Sequence, residues 1–437
     1  MTGLPRRTAA CRGLVRSIVR GFVRGTATVA LATLCLPAAQ ARGQSEEPVD
    51  PGPCTFPAKP YAGRPWPLQR VPLDEVWAQS RGKNGSRGKN VRVAVVDTGV
   101  DTRNPQLTDA VDTRAGANFL PRKGAPADPG ARGAGNGTSD EVGHGTKVAG
   151  LVAARPHPDT GFVGLAPEAT IIPIDQNDAE GNGTAELLAN AIDHAVRQRA
   201  DIINISQDTA KAVKPTRLLE RAVEKALAAD TIVIASAGNN GTDGNRDRTY
   251  PASYEGVLAV ASSDRDNERA YFSQSGSFVG IAAPGTDIVS TVPGGGHCTD
   301  SGTSFSAPYV AGLAALIKGA HDDWTGPQIV ARIKQTAERS GPGPDPFVGW
   351  GVADPLRALT RDAQGIDHPV ADGGPSRGQA PAPLAAPAGE TPQERSVRLS
   401  VYVLTGSAVA LAVLTGSAVA VRDARRRGRR TAGERTS

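Results

Sequence analysis

Lack of net basic charge and scarcity of cysteine in the body of this sequence restrict the functions open to it. It has no basic excess away from its ends: residues 1–41 hold six Arg and no acid, residues 422–437 hold seven Arg against two acids, and the formal charge is +5. The ends contribute +6 and +5, so the remainder carries −6, which argues against a nucleic-acid footprint. Cysteine is scarce, four in 437 residues, and two of these, Cys11 and Cys35, lie within the first 41. Residues 42–75 and 361–397 lack apolar periodicity, so neither can bury enough surface to fold alone. The first reads as a Pro-rich extended arm, the second as a Pro, Ala and Gly-rich linker.

Both basic ends have a membrane explanation. The first runs from Arg6, Arg7, Arg12, Arg16, Arg20 and Arg24 into TATVALATLCLP and then Ala39-Gln40-Ala41, a small-x-small cleavage site. Residues 1–41 therefore read as a secretory signal peptide with a long basic part. Leu34 before Cys35 is too bulky for lipoprotein processing, and no further motif supports twin-arginine export from Arg6-Arg7. At the other end, residues 399–421 carry no charge over 23 positions, about the length that crosses roughly 30 Å of hydrocarbon. A transmembrane helix is expected over 398–421, with VLTGSAVA repeated at 403 and 413. The basic tail, 422–437, follows directly and marks the cytoplasmic side, leaving the body outside the cell membrane. In that oxidising setting the two remaining thiols, Cys54 and Cys298, form either a disulfide or a buried free pair.

From Val91 onward short apolar runs alternate with amphipathic stretches. VRVAVV (91–96), ATIIPI (169–174), DIINIS (201–206), TIVIAS (231–236) and VLAVA (257–261) are β-branched and apolar on both faces. ELLANAIDHAVRQR and TRLLERAVEKALAA place apolar residues at helical spacing. Such alternation indicates an α/β body whose mostly parallel central sheet is covered on both sides. A last helix is expected in GPQIVARIKQTAER.

In such sheets reactive groups gather beyond the carboxyl ends of the strands. Asp97 ends VRVAVVD, where it also suits a turn start. His144 lies in VGHGTKVAG, between two glycines that permit close backbone approach. The other histidines, His157, His194, His297, His321 and His368, lack that frame and read as surface or structural. Asn239 follows a buried strand in SAGNNG. Ser304 lies in SGTSFSAP ahead of an apolar helix, where Ser and Thr also suit helix capping and Pro suits a first turn. Each residue alone has an ordinary explanation, but the order Asp97, His144, Asn239, Ser304 is far rarer than any of its members.

Together DTGVD, GHGTKVAG, SAGNNG and SGTSFSAP resemble the subtilisin-like serine proteases, over residues 70–358. The resemblance implies a three-layer subtilisin-like peptidase domain over 76–360, no cofactor and no catalytic metal. It implies Ser304 as nucleophile, His144 as base, Asp97 as its orienting partner and Asn239 as oxyanion donor. Thr303 and Ser306 are then structural. A finer resemblance, to the mycosins of type VII secretion, rests on CTFPAKPYAGRPWPLQRVPLDEVW, on GLAPEATIIPIDQNDAEGNGT, on INIS, and on the linker, anchor and basic tail.

The chain also departs from these patterns. Phe305 stands where the family has Met after the nucleophile. The substrate-cradling Ser-Leu-Gly is Ser206-Gln207-Asp208, and Ala237-Gly238 would line the opposite side of the cleft. Asp208 favours basic or small polar substrate side chains, or else a different peptide docking. KAVKPT follows where mycosins imply loop cysteines, so that loop disulfide is absent. RKGAPADPGARGAGNGTSD, inserted between Asp97 and His144, is either a solvated linker or a restriction on access. The expected function is a membrane-anchored endopeptidase acting outside the cell on selected protein or peptide substrates, in association with type VII secretion membrane components. The alternatives are a structural part of a secretion complex with secondary proteolysis, and a generic anchored subtilase. A broad nutritional protease fits poorly, because the arm is too short for a folded inhibitory pro-domain.

Overall fold

A computed structural model of the chain describes residues 54–84, 89–120, 135–178, 183–206, 215–242, 244, 246–360, 364–372 and 392–433. The expected signal peptide, the start of the arm, Pro121 and residues 122–134 of the insertion, Gln207 and Asp208, most of the expected linker and the last four residues lie outside the described residues.

Short helices α1 (Trp66–Gln69) and α2 (Leu73–Gln79) and a two-stranded antiparallel ribbon, β1 (Lys83–Asn84) with β2 (Lys89–Asn90), lead into the body. The arm read as extended is therefore helical at Trp66–Gln69, where Pro65 and Pro67 preset the backbone of a first turn. The central sheet has seven strands: β3 (Arg92–Asp97), β4 (Ala117–Asn118), β5 (Thr170–Asp175), β6 (Ile202–Ile205), β7 (Ile232–Ser236), β8 (Leu258–Ser263) and β9 (Val279–Pro284). Their order is β4-β5-β3-β6-β7-β8-β9, and all neighbouring pairs are parallel.

Helices α3 (His144–Ala153), α4 (Ala185–Arg197), α5 (Arg217–Ala228), α6 (Thr303–Ala320), α7 (Gly326–Thr336) and α8 (Pro355–Thr360) cover the sheet. Val93, Val95, Ile171, Ile202 and Ile234 form one core with Val148 and Val152 of α3 and Val310 and Ala314 of α6. The alternate residues Ala94, Val96, Ile172, Ile203 and Val233 join Leu188 and Ile192 of α4 and Leu219 and Val223 of α5. Two covered faces explain why the strands read as unbroken apolar runs. Thr184, Thr216 and Thr325 cap α4, α5 and α7 through their side chains, as the amphipathic segments require at their starts.

The strand order reverses at β3: β4 and β5 lie on one side of it, and β6 to β9 follow on the other. Ligands of open parallel sheets bind in the crevice at such a reversal. Beyond the sheet, β10 (Ile288–Thr291) and β11 (His297–Asp300) form an antiparallel hairpin, which the sequence reading missed. Cys54 and Cys298 are disulfide-bonded, with Cα atoms 5.9 Å apart. A separate long helix, α9 (Pro392–Gly433), contains Arg395–Asp423, which at mean hydropathy 1.9 is long and apolar enough to cross a membrane.

Candidate active site

β3 ends in a fully buried carboxylate, Asp97. Its Oδ1 accepts hydrogen bonds from the Thr98 N–H at 2.8 Å and from His144 Nδ1 at 2.7 Å. With Nδ1 donating to a carboxylate, Nε2 becomes the basic position of the neutral ring. The glycines beside His144 have separate reasons. Gly143 has φ +83°, in the left-handed region that side chains avoid. At Gly145 a Cβ would collide with the Gly99 carbonyl and lie 3.1 Å from the Asp97 Cβ. The first turn of α3 can thus lie against the end of β3. Burial disfavours the imidazolium, but the Asp97 charge and hydrogen bond outweigh burial. With Lys147 opposing and Asp140 assisting, His144 is held above the ordinary histidine value.

Ser304 is the second residue of α6 and is buried except for 3% of its surface. The neighbouring Phe305 ring lies 5.4 Å from the His144 ring, which sets the starts of α3 and α6 side by side. No hydrogen bond joins Ser304 to His144 in this structure; such bonds are commonly long before substrate binds and tighten in the complex. Pro308 lies inside α6 and not in its first turn, because the helix already begins at Thr303. Asn239 follows β7. Its Oδ1 accepts from the Thr303 N–H and from Thr303 Oγ1, both at 2.9 Å, while Thr303 Oγ1 accepts from the Gly238 N–H at 3.1 Å. Since Oδ1 is committed to Thr303, Nδ2 is the amide's donor end. It lies 3.5 Å from where a Cβ on Gly302 would stand, beside the start of α6.

A buried carboxylate–imidazole pair, next to a serine and an amide donor at a helix N-terminus, suits acyl transfer. The subtilase family model matches residues 88–351, more than half of the chain. The chain belongs to the subtilase family. It is 36% identical over 276 residues to subtilisin E of Bacillus subtilis (strain 168), which covers 62% of this chain and 68% of that protein. It is 36% identical over 277 residues to subtilisin Savinase of Lederbergia lenta, covering 63% and 92%. Among solved structures it resembles the MycP3 protease from the type VII (ESX-3) secretion system, with 33% identity, TM-score 0.58 and coverage of 71% and 91%. MycP1 from Mycobacterium smegmatis matches at 31% identity and TM-score 0.59, covering 75% and 92%. The fold is thus subtilisin-like, and this subtilase is a serine endopeptidase related to the mycosins.

Several further residues of the subtilase bear on the site. Ser206, 1% exposed, accepts a hydrogen bond from Asn204 Nδ2 at 2.8 Å. The Ala237 carbonyl accepts from Thr249, and Gly238 accepts from the Gln274 N–H. Gln207 and Asp208 lie outside the described residues. Phe305 is buried. Ser306 shares a hydrogen bond with Ser262 at 2.9 Å and fits a structural role. Thr303 does more than the sequence reading allowed, because it orients Asn239.

Two acids near the site were also missed. Asp140, inside the supposed solvated insertion, is only 4% exposed. Asp175 ends β5 directly beside Asp97 in the sheet register. Its Oδ1 is fully buried and accepts no hydrogen bond among the described residues, and burial followed by the charges of Asp140, Asp97 and Glu141 pushes its pKa up to about 7. The one sequence signal for it is that IIPID, like VAVVD, ends a buried strand in Asp. Among the described residues no group of three or more His, Cys, Asp or Glu side chains could hold a metal ion.

The arm reaches this region. The Phe56 ring lies 3.1 Å from the point a Cβ on Gly143 would occupy, and the Trp66 indole donates to the Thr286 carbonyl at 2.9 Å. His297, read as structural, holds the arm through Tyr61 N–H to Nδ1 at 3.1 Å and its own Nε2 to Gln106 Oε1 at 2.7 Å. His194 is likewise buried, with Nε2 at 2.8 Å from the Ala115 carbonyl oxygen.

Proposed function

We propose that this subtilase is a membrane-anchored endopeptidase that acts outside the cytoplasmic membrane on selected protein substrates, with Ser304, His144 and Asp97 as its triad. The observation that carries this reading is the Asp97–His144 pair set beside the start of α6, with Asn239 oriented by Thr303. Ser304 Oγ attacks the scissile carbonyl carbon while His144 Nε2 takes the hydroxyl proton. Asp97 keeps the ring oriented and stabilises its cation without taking the proton. The carbonyl oxygen becomes an oxyanion that accepts from Asn239 Nδ2 and the Ser304 N–H, at a helix N-terminus that favours negative charge. Cleavage of the C–N bond passes the imidazolium proton to the leaving amine and leaves an acyl group on Ser304. Water, deprotonated by His144, then releases the acid. Ser206, Gln207, Asp208, Ala237 and Gly238 are assigned to binding the substrate chain.

The similarity to mycosin structures supports association with type VII secretion membrane components, and Arg395–Asp423 with its basic flank supports an anchor whose C-terminus is cytoplasmic. A second reading, a structural part of a secretion complex in which proteolysis is secondary, draws on the same likeness. Two measurements on the full-length protein test the pair. A fluorophosphonate serine probe should label the protein, and Ser304→Ala should abolish labelling; labelling that persists overturns the nucleophile assignment. In cells carrying Ser304→Ala, secretion that continues while cleavage stops favours the structural reading, and joint loss favours the protease.

A further inference from the structure

The residues flanking His144 are tied to one acid outside the triad. Asp140 Oδ1 accepts the N–H groups of Val142 at 3.0 Å and Gly143 at 2.7 Å and the Thr98 hydroxyl at 2.9 Å. Asp140 Oδ2 accepts the Thr146 N–H at 2.8 Å and the Thr146 hydroxyl at 2.7 Å. Thr98 Oγ1 in turn accepts the Gly145 N–H at 3.0 Å. The backbone on both sides of His144 is therefore held by this carboxylate, directly or through Thr98, and Thr98 is the residue after Asp97.

We infer that Asp140 is a positioning residue for the His144 base: it fixes the first turn of α3 against the end of β3 and places a second negative charge near the imidazole. The inference rests on the triad reading proposed above. Among the described residues no cation pairs with Asp140, and the donors on its two oxygens are neutral dipoles. Burial pushes its carboxyl up from the ordinary value, with the Asp97 charge adding to this, while the bonds from Thr146 and Gly143 pull it down. Backbone N–H groups can only donate, and they occupy both oxygens, so a proton on either would face a donor. The ionised form is the one this geometry accommodates. The charged groups acting on His144 are then Asp97 at the end of β3, Asp140 ahead of α3 and Lys147 on α3. Lys147 is itself paired with Asp300 of β11 at 2.7 Å, and Asp175 and Glu141 lie near Asp97 and Asp140.

Two substitutions separate charge from position. Asp140→Asn removes the charge and sets an N–H₂ against the Thr146 N–H; Asp140→Glu keeps the charge but moves the carboxylate by a methylene. With a peptide substrate and the full-length enzyme, Asp140→Asn should lower kcat roughly 10- to 100-fold with little change in KM. It should also move the acid limb of the kcat/KM profile to lower pH, because a charge that favours imidazolium is gone. Asp140→Glu should lower kcat comparably while the acid limb stays in place. Thr146→Val, which deletes one donor and no charge, should lower kcat less and leave the limb in place, and it serves if the Asp140 variants do not fold. Unchanged kcat in the folded variants overturns the positioning role, and an unmoved limb in Asp140→Asn overturns the electrostatic one. If Ser304→Ala retained activity, the triad reading would fail instead, whatever the Asp140 variants did.

Discussion

Replacing Asp175 by Asn should stabilise this protein above neutral pH and leave it unchanged in acid. The carboxyl lies at the end of β5, 7% exposed, its buried Oδ1 without a donor among the described residues, next to Asp97 and under the influence of Asp140 and Glu141. Its pKa is raised from 3.8 to about 7, a gap of about 3 pH units that corresponds to roughly 4 kcal/mol at full ionisation. The folded state therefore binds the proton more tightly than the unfolded chain. Its contribution to stability is fully present below about pH 4 and is lost as pH rises through about 7. An asparagine has no proton to lose, so the variant should lack that decline. The assay is urea unfolding from pH 4 to 8, with Ser304→Ala in both proteins to prevent self-digestion. The variant's advantage should be near zero at pH 4 and roughly 2 to 4 kcal/mol at pH 8. A gain equal at both ends would show a packing effect instead of relief of a buried charge. No gain at pH 8 would show that the carboxylate finds a donor, and the reasoning would fail.

Three further outcomes follow from the same geometry. Because Asp97 holds His144 above the ordinary 6.5, kcat/KM should fall on acidification with an apparent pKa above that value; a limb below 6.5 in the pH–rate profile would contradict the pairing. Breaking the Cys54–Cys298 bridge, which closes a separation of 244 residues, should destabilise the fold by up to about 5 kcal/mol in the chain-entropy model. Comparing the urea midpoint of the Cys54→Ser/Cys298→Ser protein with the wild type tests this, and equal midpoints would refute it. Deleting residues 42–70 removes buried Trp66 and Leu68 and the backbone bonds from Ala58 to Gly295 and from His297 to Lys59. Melting temperature should drop without a rise in activity on small peptides; an equally stable and several-fold more active protein would mean that the arm is inhibitory.

The sequence alone determined the fold class and the identity of the site motifs. The strands of the sheet are apolar on both faces, so VRVAVV and IINI declare themselves by composition. DTGVD, GHGTKVAG, SAGNNG and SGTSFSAP are legible because each combines a reactive side chain with neighbours that only a special backbone requires. Elements without such signals escaped notice: β9 (VGIAAP) is rich in Gly, Ala and Pro, β10 and β11 have four residues each, and α1 follows prolines in a segment that otherwise reads as extended. Tertiary structure alone decided which polar residues serve the site. Asp140 sits in a Gly-rich stretch that looks solvated, yet Val142, Gly143 and the first turn of α3 direct four donors onto it and Thr98, after β3, a fifth. Thr303 resembles an ordinary capping residue until Asn239 is brought across from β7 to meet it. Asp175 acquires its unusual proton affinity because the fold buries it and brings the charges of Asp140 and Asp97 near it, while no donor among the described residues reaches Oδ1. Period and turn chemistry are local properties that a chain displays along its length, whereas the burial of a carboxylate and the charges around it depend on segments far away in sequence that close over it.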